Sequence, residues 1–361
     1  MHVRRLIRRH HHPPSPAIER APGTIRKAHP SMRFTHVGVA ALAVAALALT
    51  GCSPATESAD ASADSGSSDA AFPVTVTTEF GDVTVDEKPV RVVALGWGDA
   101  ETALALGVQP VGASDWLGFG GEGVGPWAEG LYDTAPEIIE TLEPSYEAIA
   151  ALKPDLILDT KSSGDQDRYD KLSSIATTIG VAEGKTSYLT TMDEQMDLIS
   201  SALGLKDEGD ALLAEVDTTF EEAAAAHPEW DGLTVSAATK TSEGWGAYIE
   251  GSERVTFLGR LGFVQSPGVA AAPTNAGGFS IDISPEQLDI LDADLIVAFP
   301  IFIDTTEITD DPLFAAVPAV AAGHSLIIDG DISASYSLGS TLAANYSVDK
   351  LVPLIEDALA K

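Results

Sequence analysis

Apolar positions recur in one helix-then-strand unit that the chain carries twice. The first copy runs from Ser145 through Glu147, Ile149 and Leu152 to Asp155-Leu156-Ile157. The second runs from Ser284 through Glu286, Leu288 and Leu291 to Asp294-Leu295-Ile296. They align without a gap, 139 positions apart. In each, apolar residues three apart face one side of a short helix, and an unbroken apolar run then marks a buried strand. Ser145 and Ser284 stand where an N-cap accepts from a backbone N–H one turn in. In the second copy Pro285 suits the first helical position, and Gln287 completes a Ser-x-x-Gln capping box. A repeated α/β unit implies two similar lobes with a ligand between them.

The rest of the pattern predicts a hairpin at Val74–Thr78 and Val83–Val85, then strands at Arg91–Leu95, Pro110–Ala113 and Leu156–Asp159. Asp99–Leu106 is helical and stopped by Gly107. Apolar positions from Met192 to Ala226 follow a helical period interrupted by Gly204 and Gly209. This is one long or broken helix crossing between lobes, or else a surface helix of the first lobe. In the second half, strands are predicted at Thr234–Ala238, Ala247–Ile249, Leu295–Phe299 and Leu326–Asp329. Helices are predicted at Arg254–Leu261, Pro285–Leu291, Pro312–Ala315 and Leu338–Ala360. Strands alternating with helices imply an α/β fold: two doubly wound, mainly parallel lobes joined by one long helix, with a ligand cleft between them.

The first 51 residues depart from this pattern. They hold eight Lys/Arg, one acid and six of the eight His, and end in the Ala/Leu/Val stretch from Val37 to Leu49. A basic flank, a short apolar core and small residues form a secretory signal, with Met32 as a possible true start. Cys52 is the only cysteine, so a disulfide within the chain is excluded. After cleavage 13 Lys/Arg would stand against 53 Asp/Glu, a balance of −40 that argues against nucleic acid as a partner. Ser53 to Ala71 lacks periodicity and is predicted to be a flexible tether reaching at most about 60 Å. The expected organisation is therefore a signal over 1–51, Cys52 and tether over 52–72, a first lobe over 73–190, an interlobe helix over 191–226 and a second lobe over 227–361.

Several segments then fall in a fixed order. Pro89-Val-Arg-Val-Val-Ala-Leu95 and Leu104-Ala-Leu-Gly-Val108 come first. Glu147-Ala-Ile-Ala-Ala-Leu-Lys-Pro-Asp-Leu-Ile157, Asp170-Lys-Leu-Ser-Ser-Ile175 and Asp311-Pro-Leu-Phe-Ala-Ala-Val317 follow. From Pro89 to the C-terminus this ordered set resembles the ferric-siderophore and cobalamin substrate-binding proteins of bacterial ABC importers. Leu49-Thr-Gly-Cys52 is similar to the lipobox of bacterial lipoproteins, in which the cysteine becomes the acylated first residue. The resemblance implies two α/β lobes on a single rigid helix and an extracytoplasmic lipoprotein anchored to the cell membrane. It also implies a monomer that delivers an iron(III)-siderophore to a permease and its ATPase. One glutamate per lobe would dock on that permease; alignment puts these at Glu147 and Glu286.

The ligand site is expected outside the carboxyl ends of the strands. Aromatic residues follow many of them: Trp97, Trp116, Trp127, Trp245, Tyr248, Phe302 and Tyr336. Such rings offer large contact area and can stack on chelates or cations, although each could equally serve core packing. Lys161 follows the third strand, with Arg168 and Arg254 as further cationic candidates. The mature chain would keep two His, without metal-ligand spacing, and it has no nucleophile elbow or P-loop, so no enzyme or cofactor is expected. Cobalamin or haem are alternative ligands; a surface protein for adhesion or sensing is the alternative of another class.

Overall fold

The computed structural model describes residues 72–361; the leader, Cys52 and almost all of the tether lie outside the described residues. Strands β1 (Val74–Thr78) and β2 (Gly81–Val85) form the expected antiparallel hairpin, turning at Gly81 with φ +102°. The first lobe then alternates β3 (Val92–Ala94), α1 (Asp99–Ala105), β4 (Gly112–Ser114), β5 (Glu137–Ile139), α2 (Tyr146–Ala151), β6 (Leu156–Leu158), α3 (Gln166–Ser173) and β7 (Thr177–Ile179). Its sheet is wholly parallel, in the order β5-β4-β3-β6-β7. The chain enters at β3, winds outward to β5, and returns past β3 to β6. The winding direction thus reverses between β3 and β6, the place where open α/β sheets form a crevice.

The joining segment is two helices rather than one. Helix α4 (Met192–Leu203) opens on a complete capping box made by Thr191 and Glu194. It ends at Gly204, whose φ of +68° is the left-handed C-cap that glycine adopts without strain. Helix α5 (Lys206–Ala226) restarts two residues later. Leu198, Ile199, Ala202 and Leu203 of α4 pack into the first lobe, whereas Val216 and Phe220 of α5 pack into the second. Most of the α4 stripe and the α5 stripe therefore serve different cores, although Met192 at the start of α4 joins that of the second lobe.

The second lobe contains β8 (Thr234–Thr241), β9 (Gly244–Tyr248), α6 (Glu253–Arg260), β10 (Val264–Gln265), α7 (Pro267–Ala270) and β11 (Ser280–Ile283). It continues with β12 (Leu295–Pro300), α8 (Thr306–Thr309), α9 (Pro312–Ala315), α10 (Pro318–Ala322), β13 (Ser325–Ile327), α11 (Gly330–Leu338) and α12 (Thr341–Leu359). Strands β8, β12 and β13 are parallel, as expected. Strands β9 and β11 make the other edge antiparallel, because the tight turn after Thr241 can only reverse the chain.

The duplicated unit keeps its role but not its detail. In the first copy Ser145 Oγ accepts from Ala148 N at 3.2 Å, as an N-cap should. In the second, Pro285–Leu291 is a 3₁₀ helix broken at Gln287, whose φ is −114°. There Ser284 Oγ bonds the Gln287 side chain at 2.9 Å instead of capping the backbone, so the expected capping box is not formed. The final helix is also shorter than predicted. Gly339, with φ +67°, separates α11 from α12, and Ser340 caps α12 through Ala343 N.

Candidate ligand-binding site

The reversal point of the first sheet is held by one buried carboxylate. Asp99, at the start of α1, accepts from Gly96 N at 2.9 Å, Thr160 N at 3.0 Å, the Thr160 hydroxyl and Gln195 Nε2 at 2.6 Å. Gln195 Nε2 also donates to Trp97 O, and Trp97 N donates to Lys161 O at 2.8 Å. Complete burial raises the Asp99 pKa to about 6; the Thr160 and Gln195 hydrogen bonds oppose the rise. The loops after β3 and β6, carrying Trp97 and Lys161, are thereby locked to each other and to α4.

Aromatic rings continue from that point into the second lobe. Trp97 and Trp116 meet at 5.6 Å between centroids, Trp116 and Tyr188 at 5.6 Å, Tyr188 and Phe279 at 6.4 Å, and Phe279 and Tyr248 at 6.3 Å. Trp97 Nε1 crosses between the lobes to the carbonyls of Ser337 and Leu338, at 3.1 and 3.0 Å. Trp116 Nε1 is fixed by Leu95 O. Arg254, near the start of α6, closes the arc: its guanidinium carbon lies 4.4 Å from the Tyr248 centroid and 5.2 Å from that of Trp97. Its Nε is buried without a hydrogen-bond partner.

The other cations of this region are already matched. Lys161 Nζ lies 3.4 Å from Glu253 Oε2 across the lobes, both side chains nearly buried. Arg168 holds Asp159 through two nitrogens, at 3.0 and 2.8 Å. Among the described residues no carboxylate lies within ion-pair distance of Arg254. A half-buried guanidinium stacked on two rings, with one buried donor unfilled, suits an anionic or oxygen-rich group.

Four of the sequence-predicted residues, Trp97, Trp116, Lys161 and Tyr248, line or adjoin this arc. Tyr336 supports it from below: it is buried, and its hydroxyl donates to Arg254 O at 2.8 Å. It lies within α11 rather than in the loop expected after the last strand. Trp127 forms a neighbouring cluster with Phe119 and Tyr346, and its Nε1 donates to Glu101 Oε2 at 2.6 Å. Glu101 also accepts from Ser340 Oγ of the second lobe, and burial raises its pKa against these bonds. Trp245 stacks on Phe314 in a different core cluster. Three positions separate it from Tyr248 on one strand, so the two face opposite sides of the sheet. Phe302 is 94% exposed, beside an open groove of about 530 Å³ between the β8–β9 turn and residues 303–307.

Sequence reasoning passed over Tyr188 and Phe279 and ranked Arg254 behind Lys161. Tyr188 follows β7 and fits the carboxyl-end rule. Phe279 and Arg254 flank antiparallel strands, to which that rule does not apply. Glu147 and Glu286 are both exposed, each near the start of its copy of the duplicated unit.

Two α/β lobes linked by helices, with an aromatic arc and hydrogen bonds running from one lobe to the other, fit the class of solute-binding proteins. The chain belongs to the periplasmic binding protein family, which it matches over residues 92–332. It is 27% identical over 341 residues to the probable siderophore-binding lipoprotein YfiY of Bacillus subtilis, covering 90% of this chain and 97% of that protein. A periplasmic solute binding protein of Mycobacterium smegmatis superimposes with a TM-score of 0.69 at 28% identity, covering 80% and 99% of the two chains. The iron uptake protein PiaA of Streptococcus pneumoniae, solved in complex with ferrichrome, does so with a TM-score of 0.68 at 26% identity and the same coverage.

Proposed function

We propose that this protein is the extracytoplasmic binding component of an ABC importer, capturing a ferric siderophore and delivering it to the membrane permease and its ATPase. The observation that carries the reading is Arg254, stacked between Trp97 and Tyr248 with its Nε unfilled. A ferric siderophore is an apolar-edged chelate with an oxygen-rich centre, and it needs both a broad aromatic wall and a donor. Trp97, Trp116, Tyr188, Tyr248 and Phe279 supply the wall. The siderophore-binding name of one relative and the ferrichrome complex of another support the choice. Acylation at Cys52 would hold the protein at the membrane as a monomer, and Glu147 with Glu286 would meet the permease. No bond is made or broken, so the protein acts as a carrier and not as an enzyme.

Titration of the protein with ferric hydroxamates, ferric catecholates, haem and cobalamin tests this. Quenching of Trp97 and Trp116 fluorescence is expected with a ferric siderophore at submicromolar concentration. Binding of haem or cobalamin alone, or of no member of the panel, would overturn it.

A further inference from the structure

Resting on that reading, we infer that the recess selects ferric chelates of low net charge over polyanionic ones, and that Glu253 sets this preference. Three cations stand at or beside the arc: Arg168, Lys161 and Arg254. Arg168 is cancelled by Asp159 through two hydrogen bonds. Lys161 is cancelled by Glu253, the residue next to Arg254 in sequence. Arg254, stacked on Trp97 and Tyr248, is the one of the three without an ion pair among the described residues.

One guanidinium matches a neutral or singly charged ligand. Three hydroxamate groups leave iron(III) neutral, because each brings one negative charge. Three catecholate groups, each bringing two, leave the chelate trianionic. Seating the trianion against one guanidinium beside Trp97, Trp116 and Tyr248 would leave two charges without a partner among aromatic rings, where unpaired charge is disfavoured. The molecule around it is acidic, with a formal charge of −33 for the full chain, and adds long-range repulsion. Glu253 is placed to act as the discriminating group. It removes a second cation without occupying the recess, and it is held there by the Lys161 ammonium and by Gly339, whose missing Cβ leaves room for it.

The test compares one neutral ferric tris-hydroxamate with one trianionic ferric tris-catecholate by fluorescence titration at fixed ionic strength. The wild-type protein should bind the hydroxamate at least about tenfold more tightly. Glu253→Gln, which frees Lys161 while keeping the side-chain shape, should move the affinity ratio at least about tenfold toward the catecholate. It should change hydroxamate affinity less than about threefold. Lys161→Met should leave the hydroxamate preferred. Equal or tighter wild-type binding of the trianion would overturn the inference while leaving ferric-siderophore capture intact. So would an unchanged ratio in a folded Glu253→Gln protein. If that variant does not fold, the wild-type ratio decides alone. Failure of both chelates to bind would instead remove the functional reading, and the inference with it.

Discussion

Asp155 and Asp294 do the same work in the two lobes: each carboxylate holds the backbone that opens the central strand of its own sheet. Asp155 accepts from Val90 N and Arg91 N, both at 2.9 Å, just before β3. Asp294 accepts from Thr234 N at 2.8 Å and from its hydroxyl at 2.7 Å, at the first residue of β8. The Thr234 backbone bond, then its side-chain bond, lower the Asp294 pKa. A lowered acid contributes stability above its unfolded value and loses it as pH falls through the folded one. Asp294→Ala should therefore cost about 1 kcal/mol at pH 7, a modest value for an exposed site. In urea unfolding, that difference should shrink in acid; a constant difference down to pH 2 would contradict it.

The matching frames carry Glu147 and Glu286 at the same register and leave both exposed. If the pair docks on the permease as proposed, replacing both by Ala should leave ligand affinity within about twofold of wild type and abolish uptake into cells. Uptake at the normal rate by the double variant would end that assignment.

Arg254 should show function opposed to stability. A buried donor without a partner costs stability, so Arg254→Met should hold or raise the thermal midpoint. The same change should weaken ferric-siderophore binding at least about tenfold. Parallel loss of both, measured by thermal unfolding and titration, would mean that the arginine is structural.

Asp99 gives a pH signature of the opposite sign to Asp294. Its pKa is raised to about 6, so the folded state binds a proton that the unfolded state has released. Stability from this group is highest in acid and falls as pH rises through that value, by about 3 kcal/mol in all. Unfolding measured from pH 4 to 7 should show this slope in the wild type and not in Asp99→Asn. Equal slopes would show that Asp99 titrates normally.

Gly96 lies under the same carboxylate. A Cβ there would collide with Asp99 Oδ2 and come within 2.8 Å of Lys161 N, backbone that cannot swing away. Gly96→Ala should cost about 1–3 kcal/mol and weaken binding with it, because the Trp97 and Lys161 loops separate. Unchanged urea midpoint and affinity would show that these loops are not coupled.

Much of this was legible in the chain. The duplicated helix-strand unit, the hairpin and the alternation in the first lobe follow from local periodicity, which needs no partner. Trp97, Trp116 and Lys161 could be named as candidates because a crevice forms at strand ends in a parallel sheet. The break at Gly204 was legible as an interruption, but not its consequence, because the two helical stripes look alike until each meets its own core. Trp245 and Tyr248 could be told apart only by the strand register that sends them to opposite faces.

The sequence by itself determined a two-lobed α/β protein with aromatic residues gathered behind its strands. Only the tertiary structure decided which cation is paired with an acid. Lys161 is matched by a glutamate 92 positions away, whereas Arg254 meets rings and no acid. A charge is free or spent according to what folding brings within a few ångströms of it, and spacing along the chain carries no record of that distance.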